Sequence, residues 1–138
     1  MYYYRYGANY PHPLGGYGSG FQKWLWEAEN GNFEPYVSCG NGCAMRIGPV
    51  GWVFDTIEDV LVYAKCSAEC THYHPEGIKG AQAVAAAVYM QLNEEFDVAG
   101  EVKHYVEANF GYDLDIKLED IRNEYRFDAS CQGSVPIA

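Results

Sequence analysis

The stretch PEGIKGAQAVAAAVYMQL, residues 75–92, constrains the fold of this chain more than any other. Ile78, Ala81, Ala85, Val88 and Leu92 recur at the spacing of one helical face. Ala81, Ala83, Ala85, Ala86 and Ala87 keep that helix slim. Slim helices let their neighbours approach closely and can be covered on all sides. Pro75 suits the first helical position, where the N–H it lacks would be unpaired anyway. The pattern predicts a central helix with other helices packed around it.

The flanking segments supply those helices. Asp55 or Thr56 can cap a helix in which Ile57, Val60, Leu61, Ala64 and Ala68 share a face, ending near Cys70 and the segment THYHP. Asp97 opens another, with Val98, Val102, Tyr105 and Val106 on its apolar side and Gly111 as its stop. FQKWLWEAE reads as a short helix with Phe21, Trp24 and Leu25 aligned, and LEDIRNEY as a further short one. In CQGSVPIA, Ser134 followed by Pro136 has the form of a helix start. No run alternates apolar and polar residues as a half-buried strand would, so the expected class is all-α. The beginning is different. Tyr2, Tyr3, Tyr4, Tyr6, Tyr10 and Tyr17, with the glycines of LGGYGSGF, suggest either an irregular wrap over the core or a binding surface.

Length and charge narrow the function. A chain of 138 residues suits one domain, 1–138, with a true core. The net charge of -10 repels a phosphate backbone and disfavours general nucleic-acid binding. Residues 91–138 hold 11 acidic and 4 basic side chains, which reads as a solvated face. No apolar run approaches the roughly 18 residues of a membrane span, and MYYYRYGANYPHP lacks the apolar core of a secretory signal. Five cysteines without such a signal fit reduced thiols and a cytoplasmic setting better than a disulfide framework.

Several constellations offer chemistry. Cys66, Cys70, His72 and His74 are four potential zinc ligands, although their spacing is not one common to structural sites. Cys43 or Cys70 with His72 would make a nucleophilic pair, yet nothing marks either thiol as activated. Glu94/Glu95, Asp113/Asp115 and Glu119/Asp120 lack the apolar surroundings that tune carboxylates for acid–base work. The glycine-rich GNGCAM, Gly40 to Met45, remains. Such a turn can aim backbone N–H groups at one anion, and Asn41 adds an amide; Asn-Gly also marks ordinary turns. Ala44 and Met45 read as core anchors.

GNGCAMRIGPVGW, SAECTHYHPEGIKGAQAVAAAVY and YRFDASCQGSVPIA, in this order and spacing, resemble the ADP-ribosylglycohydrolase family over nearly the whole chain from Tyr4. The resemblance implies a helical bundle like the middle part of that family's fold, built round a cleft for ADP-ribose. It implies that Gly40, Asn41, Gly42, Ala44 and Met45 line the diphosphate and ribose, and that Thr71 and His72 approach the adenosine. Gly80 and Ala81 would let the ligand or a neighbouring helix come close, and the Tyr17 region would lie near the cleft mouth. Family hydrolases use two magnesium ions, held by an early Asp-Asp-Thr-type motif and a late Gly-Gly-Asp-x-Asp-Thr motif. Neither motif occurs here, and Asp55-Thr56 falls at a helix cap instead. Cys39 and Cys43 also stand where the family more often has aromatic and small polar residues. The chain therefore reads as a truncated central portion with no metal ligands and no cofactor of its own. Three functions follow as expectations: a module that binds ADP-ribose or a related nucleotide without hydrolysing it, part of a split hydrolase whose carboxylates come from a complementing chain, or a remnant with a structural role. Apolar faces left uncovered by such a truncation predict a homo-oligomer.

Overall fold

The computed structural model describes residues 17–93 and 98–138. Its elements in chain order are α1 (Ser19–Glu29), α2 (Gly42–Met45), α3 (Gly48–Val53), α4 (Ile57–Glu69), α5 (Pro75–Leu92), α6 (Val98–Phe110), α7 (Leu118–Ile121) and α8 (Cys131–Ser134), then a 3-10 turn, Val135–Ile137. Among the described residues the sole strand-like feature is an isolated antiparallel bridge between Gly40 and Ser130. The fold is all-α. Tyr2, Tyr3, Tyr4, Tyr6 and Tyr10, Glu94/Glu95 and the Asp97 start signal lie outside the described residues.

Helix α5 is the hub, packed against α2, α3, α4, α6 and α8. Its small side chains make this possible. Ala81 and Ala85 face Val60, Ala64 and Ala68 of α4 in the larger core cluster. Ala83 lies two residues on from Ala81, about 200° round the helix, and joins Val106 and Tyr112 in a second cluster. Along α3, Gly51 meets α5 so closely that a Cβ would fall 2.7 Å from the Ala85 carbonyl oxygen. Leu92, the last member of the predicted stripe, is exposed, whereas Met90 is the buried residue of that final turn.

The predicted ends mostly hold. Thr56 caps α4, its Oγ1 accepting from the Asp59 N–H at 3.2 Å. Pro75 is the first residue of α5, where His74 Nδ1 also accepts the Glu76 N–H. Gly111 ends α6 with φ +65, the left-handed conformation that glycine adopts without steric cost. The last segment differs from expectation. Ser134 does stand at the cap position of the 3-10 turn, with Pro136 in that turn, but it makes no side-chain cap bond; one turn earlier Ser130 caps α8, its Oγ accepting the Gly133 N–H.

Candidate functional site

The glycine loop is closed by the far end of the chain. Asn41 donates its N–H to the Ala129 carbonyl at 2.7 Å, and Cys131 donates to the Cys39 carbonyl at 2.8 Å. Asn41 Nδ2 donates to Ser134 Oγ at 3.0 Å, and the Gly40 N–H bonds Ser38 Oγ. Beneath the loop, the Cys43 and Cys131 thiols lie 3.9 Å apart, each 3.4 Å from the Gly40 carbonyl oxygen, and Cys43 is nearer still to the Gly77 carbonyl at 3.1 Å. Burial and its hydrogen bond with Cys43 hold the Cys131 thiol well above the usual range, the bond being the larger cause.

The loop glycines serve close approach rather than backbone inversion. Among the described residues positive φ occurs only at Gly31 and Gly111. A Cβ on Gly42 would lie 3.3 Å from His72 Nε2, and one on Gly40 3.6 Å from the same atom. Gly77 at the start of α5 is tighter still, with a Cβ position 2.7 Å from the Ser38 carbonyl oxygen and 3.1 Å from His72 Cβ. Three glycines thus let the loop, α5 and one imidazole converge.

His72 is 7% exposed and Thr71 is fully buried. Thr71 Oγ1 lies 2.9 Å from His72 Nδ1. Arg46, one residue beyond α2, donates from Nη2 to Thr71 Oγ1 at 2.8 Å and to the Ser67 carbonyl at 3.1 Å. Burial, reinforced by the Arg46 charge, pushes His72 down to about 4, so the ring is neutral at pH 7. Burial also raises the hydroxyl of Tyr36, whose ring sits 6.1 Å from the imidazole.

The structure brings Gly40, Asn41, Gly42, Thr71 and His72 into one connected group. Gly80 reaches it through Cys131, whose Sγ would be 2.5 Å from a Gly80 Cβ. The Ala44–Met45 pair divides: Ala44 is core, whereas Met45 is 79% exposed, so the expected anchoring by Met45 is corrected. The one-turn helix α2 buries only part of its surface, and Met45 leaves it on the open side. Sequence reasoning passed over Arg46, and it read Ser134 as a helix start and not as a partner of the loop. A lone arginine within the apolar run CAMRIGPVGW was the available signal for Arg46.

The metal alternatives separate. Cys70 Sγ donates to the Cys66 carbonyl, His72 Nδ1 faces Thr71 and His74 caps α5, so these four do not converge on zinc. Neither Cys43 nor Cys70 meets His72 as a nucleophilic pair, since both thiols are turned to backbone carbonyls. Among the described residues the one group of ligand atoms within 4.8 Å of each other is Glu107, Asp113 and Asp115. Lys103 already pairs with Asp115 and lies 4.0 Å from Glu107. The charge beside the glycine loop is the cation Arg46. The residues described there do not fit a pair of magnesium ions.

Comparison with known proteins points to one family. A family model described as ADP-ribosylglycohydrolase matches residues 3–131. ADP-ribosylhydrolase ARH3 of Homo sapiens is 30% identical over 116 residues, covering 76% of this chain and 31% of that protein. ARH3 of Bos taurus is 32% identical over 111 residues, covering 72% of this chain and 29% of the relative. ARH3 of Gallus gallus is 33% identical over 96 residues, covering 70% and 25%. The chain thus spans less than a third of the length of the relatives it matches. No solved structure matches it. With a helical fold whose glycine loop, Thr-His segment and Ser130–Ser134 segment meet at one place, and with a family match that runs through the first two and reaches Cys131 in the third, the chain belongs to the ADP-ribosylglycohydrolase family.

Proposed function

We propose that this chain binds ADP-ribose or a related nucleotide at the Gly40–Met45 loop and does not hydrolyse it alone. One observation carries the reading: in a molecule of net charge -10, a guanidinium is fixed behind a loop of small residues and beside a neutral, buried imidazole. A cation held there favours a diphosphate, and a low-dielectric setting strengthens that attraction. Gly40 and Gly42 leave the backbone open to close approach, while His72 and the Asn41 side-chain carbonyl supply polar groups for sugar hydroxyls and buried Thr71 holds His72 in place. Ala44 fixes the loop to the core, exposed Met45 can fold over the ligand, and Gly80 seats the Cys131 segment that closes the loop.

Hydrolysis is the second reading, favoured by the relatives' description as ADP-ribosylhydrolases and by the small share of their length found here. It requires metal-binding carboxylates from residues outside these 138, such as a complementing polypeptide would supply. The unbridged thiols support a reducing, cytoplasmic setting. The test is calorimetry of the 138-residue chain with ADP-ribose, with and without magnesium. Equal affinity under both conditions, with no release of ADP-ribose from a modified protein, is the expected result. Absence of binding in both would overturn the reading, and magnesium-dependent turnover by the pure chain would replace it with the second.

A further inference from the structure

We infer that Arg46 is a positioning residue for His72: through the Thr71 hydroxyl it fixes the imidazole hydrogen on Nε2 and so presents an N–H donor to the glycine loop. The argument is one of hydrogen counting. A guanidinium has donors and no acceptor, so the 2.8 Å contact between Arg46 Nη2 and Thr71 Oγ1 runs from arginine to threonine. Thr71 is fully buried, and its hydroxyl has one hydrogen left to place. Besides Arg46, its hydrogen-bond partner is His72 Nδ1, at 2.9 Å. Nδ1 therefore accepts, and in a neutral ring the hydrogen belongs on Nε2. The neighbouring charge also polarises the Thr71 hydroxyl toward donation.

The consequence lies at the loop. Nε2 is the atom that faces Gly42 and Gly40. In this tautomer it offers a hydrogen to a phosphate or hydroxyl oxygen; in the other it would oppose a phosphate with a lone pair. That a ligand lies at the loop rests on the proposed function, whereas the hydrogen placement does not.

Ring nitrogens of 15N-histidine-labelled protein, read at pH 7 by long-range proton–nitrogen correlation, test the placement, with His72→Gln assigning the signals. Nε2 is expected to be pyrrole-type and Nδ1 pyridine-type. A pyrrole-type Nδ1 in the parent chain would overturn the inference, whatever the variants do. Thr71→Val removes the hydroxyl at constant shape and should move both shifts toward the free-imidazole average, as should Arg46→Gln, while Thr71→Ser retains them. Unchanged shifts in the valine variant would equally overturn it. ADP-ribose affinity should weaken roughly tenfold in Thr71→Val, the scale of one hydrogen bond, and recover in Thr71→Ser. Expected shifts with parent affinity retained in Thr71→Val would remove the positioning role and spare the ligand site. Expected shifts without any binding by the parent chain would instead sink the ligand site and leave His72 a structural residue.

Discussion

Gly42 and Gly77 both face His72, and they differ in what an added side chain would strike. At Gly77 the obstacle is the Ser38 backbone at 2.7 Å, which cannot rotate away. Gly77→Ala should destabilise the fold by about 1–3 kcal/mol, read from the urea midpoint. At Gly42 the obstacle is the His72 ring at 3.3 Å and the backbone is unstrained. Gly42→Val should leave helix content unchanged and weaken ADP-ribose binding by roughly 2 kcal/mol in calorimetry, the scale of a charge-assisted hydrogen bond. Unchanged affinity would locate the ligand elsewhere. His72 adds a pH dependence. Folded, it titrates at about 4 rather than at the usual 6.5. Between those values the unfolded chain takes up a proton that the folded chain does not, so stability falls as pH drops from 6.5 toward 4. The loss approaches roughly 3 kcal/mol. Arg46 and Tyr36 face the ring and do not change charge in that window. His72→Gln should flatten this part of the denaturation profile. At this scale the sequence was legible only where residues act in a run. GNG stood out, but the role of Arg46 depends on Thr71, which is 25 positions away. No local pattern announces such a partner.

Helices were far more legible, because their caps and apolar spacing are local. The Thr56 cap is one case. Thr56→Ala should cost about 1 kcal/mol through the orphaned Asp59 N–H, measured as a lower thermal midpoint, while Thr56→Ser should keep most of it. An equal loss in both variants would attribute the effect to the threonine methyl instead. Helix α8 shows where locality fails. Ser130 and Ser134 both stand at cap positions, yet only Ser130 caps with its side chain, because Asn41 donates to the Ser134 hydroxyl and that hydroxyl donates to the Ser130 carbonyl. Met45 fails similarly. Its place after Ala44 suggests burial, but a helix of one turn has only one side against the core.

For the molecule as a whole, the hub arrangement grades how readily each cysteine meets solvent. Cys66 is exposed, Cys39 and Cys70 are half-buried, and Cys43 and Cys131 are inaccessible under the loop. Iodoacetamide pulses followed by peptide mass spectrometry should label Cys66 first, and Cys43 with Cys131 only at the rate of unfolding. Labelling of Cys131 as fast as Cys66 would mean that the seam between loop and α8 opens by itself. The all-α class and the central helix were visible in the sequence, since composition and spacing report them directly. The seam was not, because its partners are far apart in sequence. That separation governs the order of assembly. Cys131 and Gly40 are 91 positions apart, so a ribosome delivers the glycine loop well before the Ala129 carbonyl and the Cys131 thiol that close it. The helical scaffold of α4 and α5 has only short connections to make and can form first. A nascent chain paused before Ser130 therefore carries its scaffold with the loop still unfastened, and the seam closes only once Cys131 has left the ribosome.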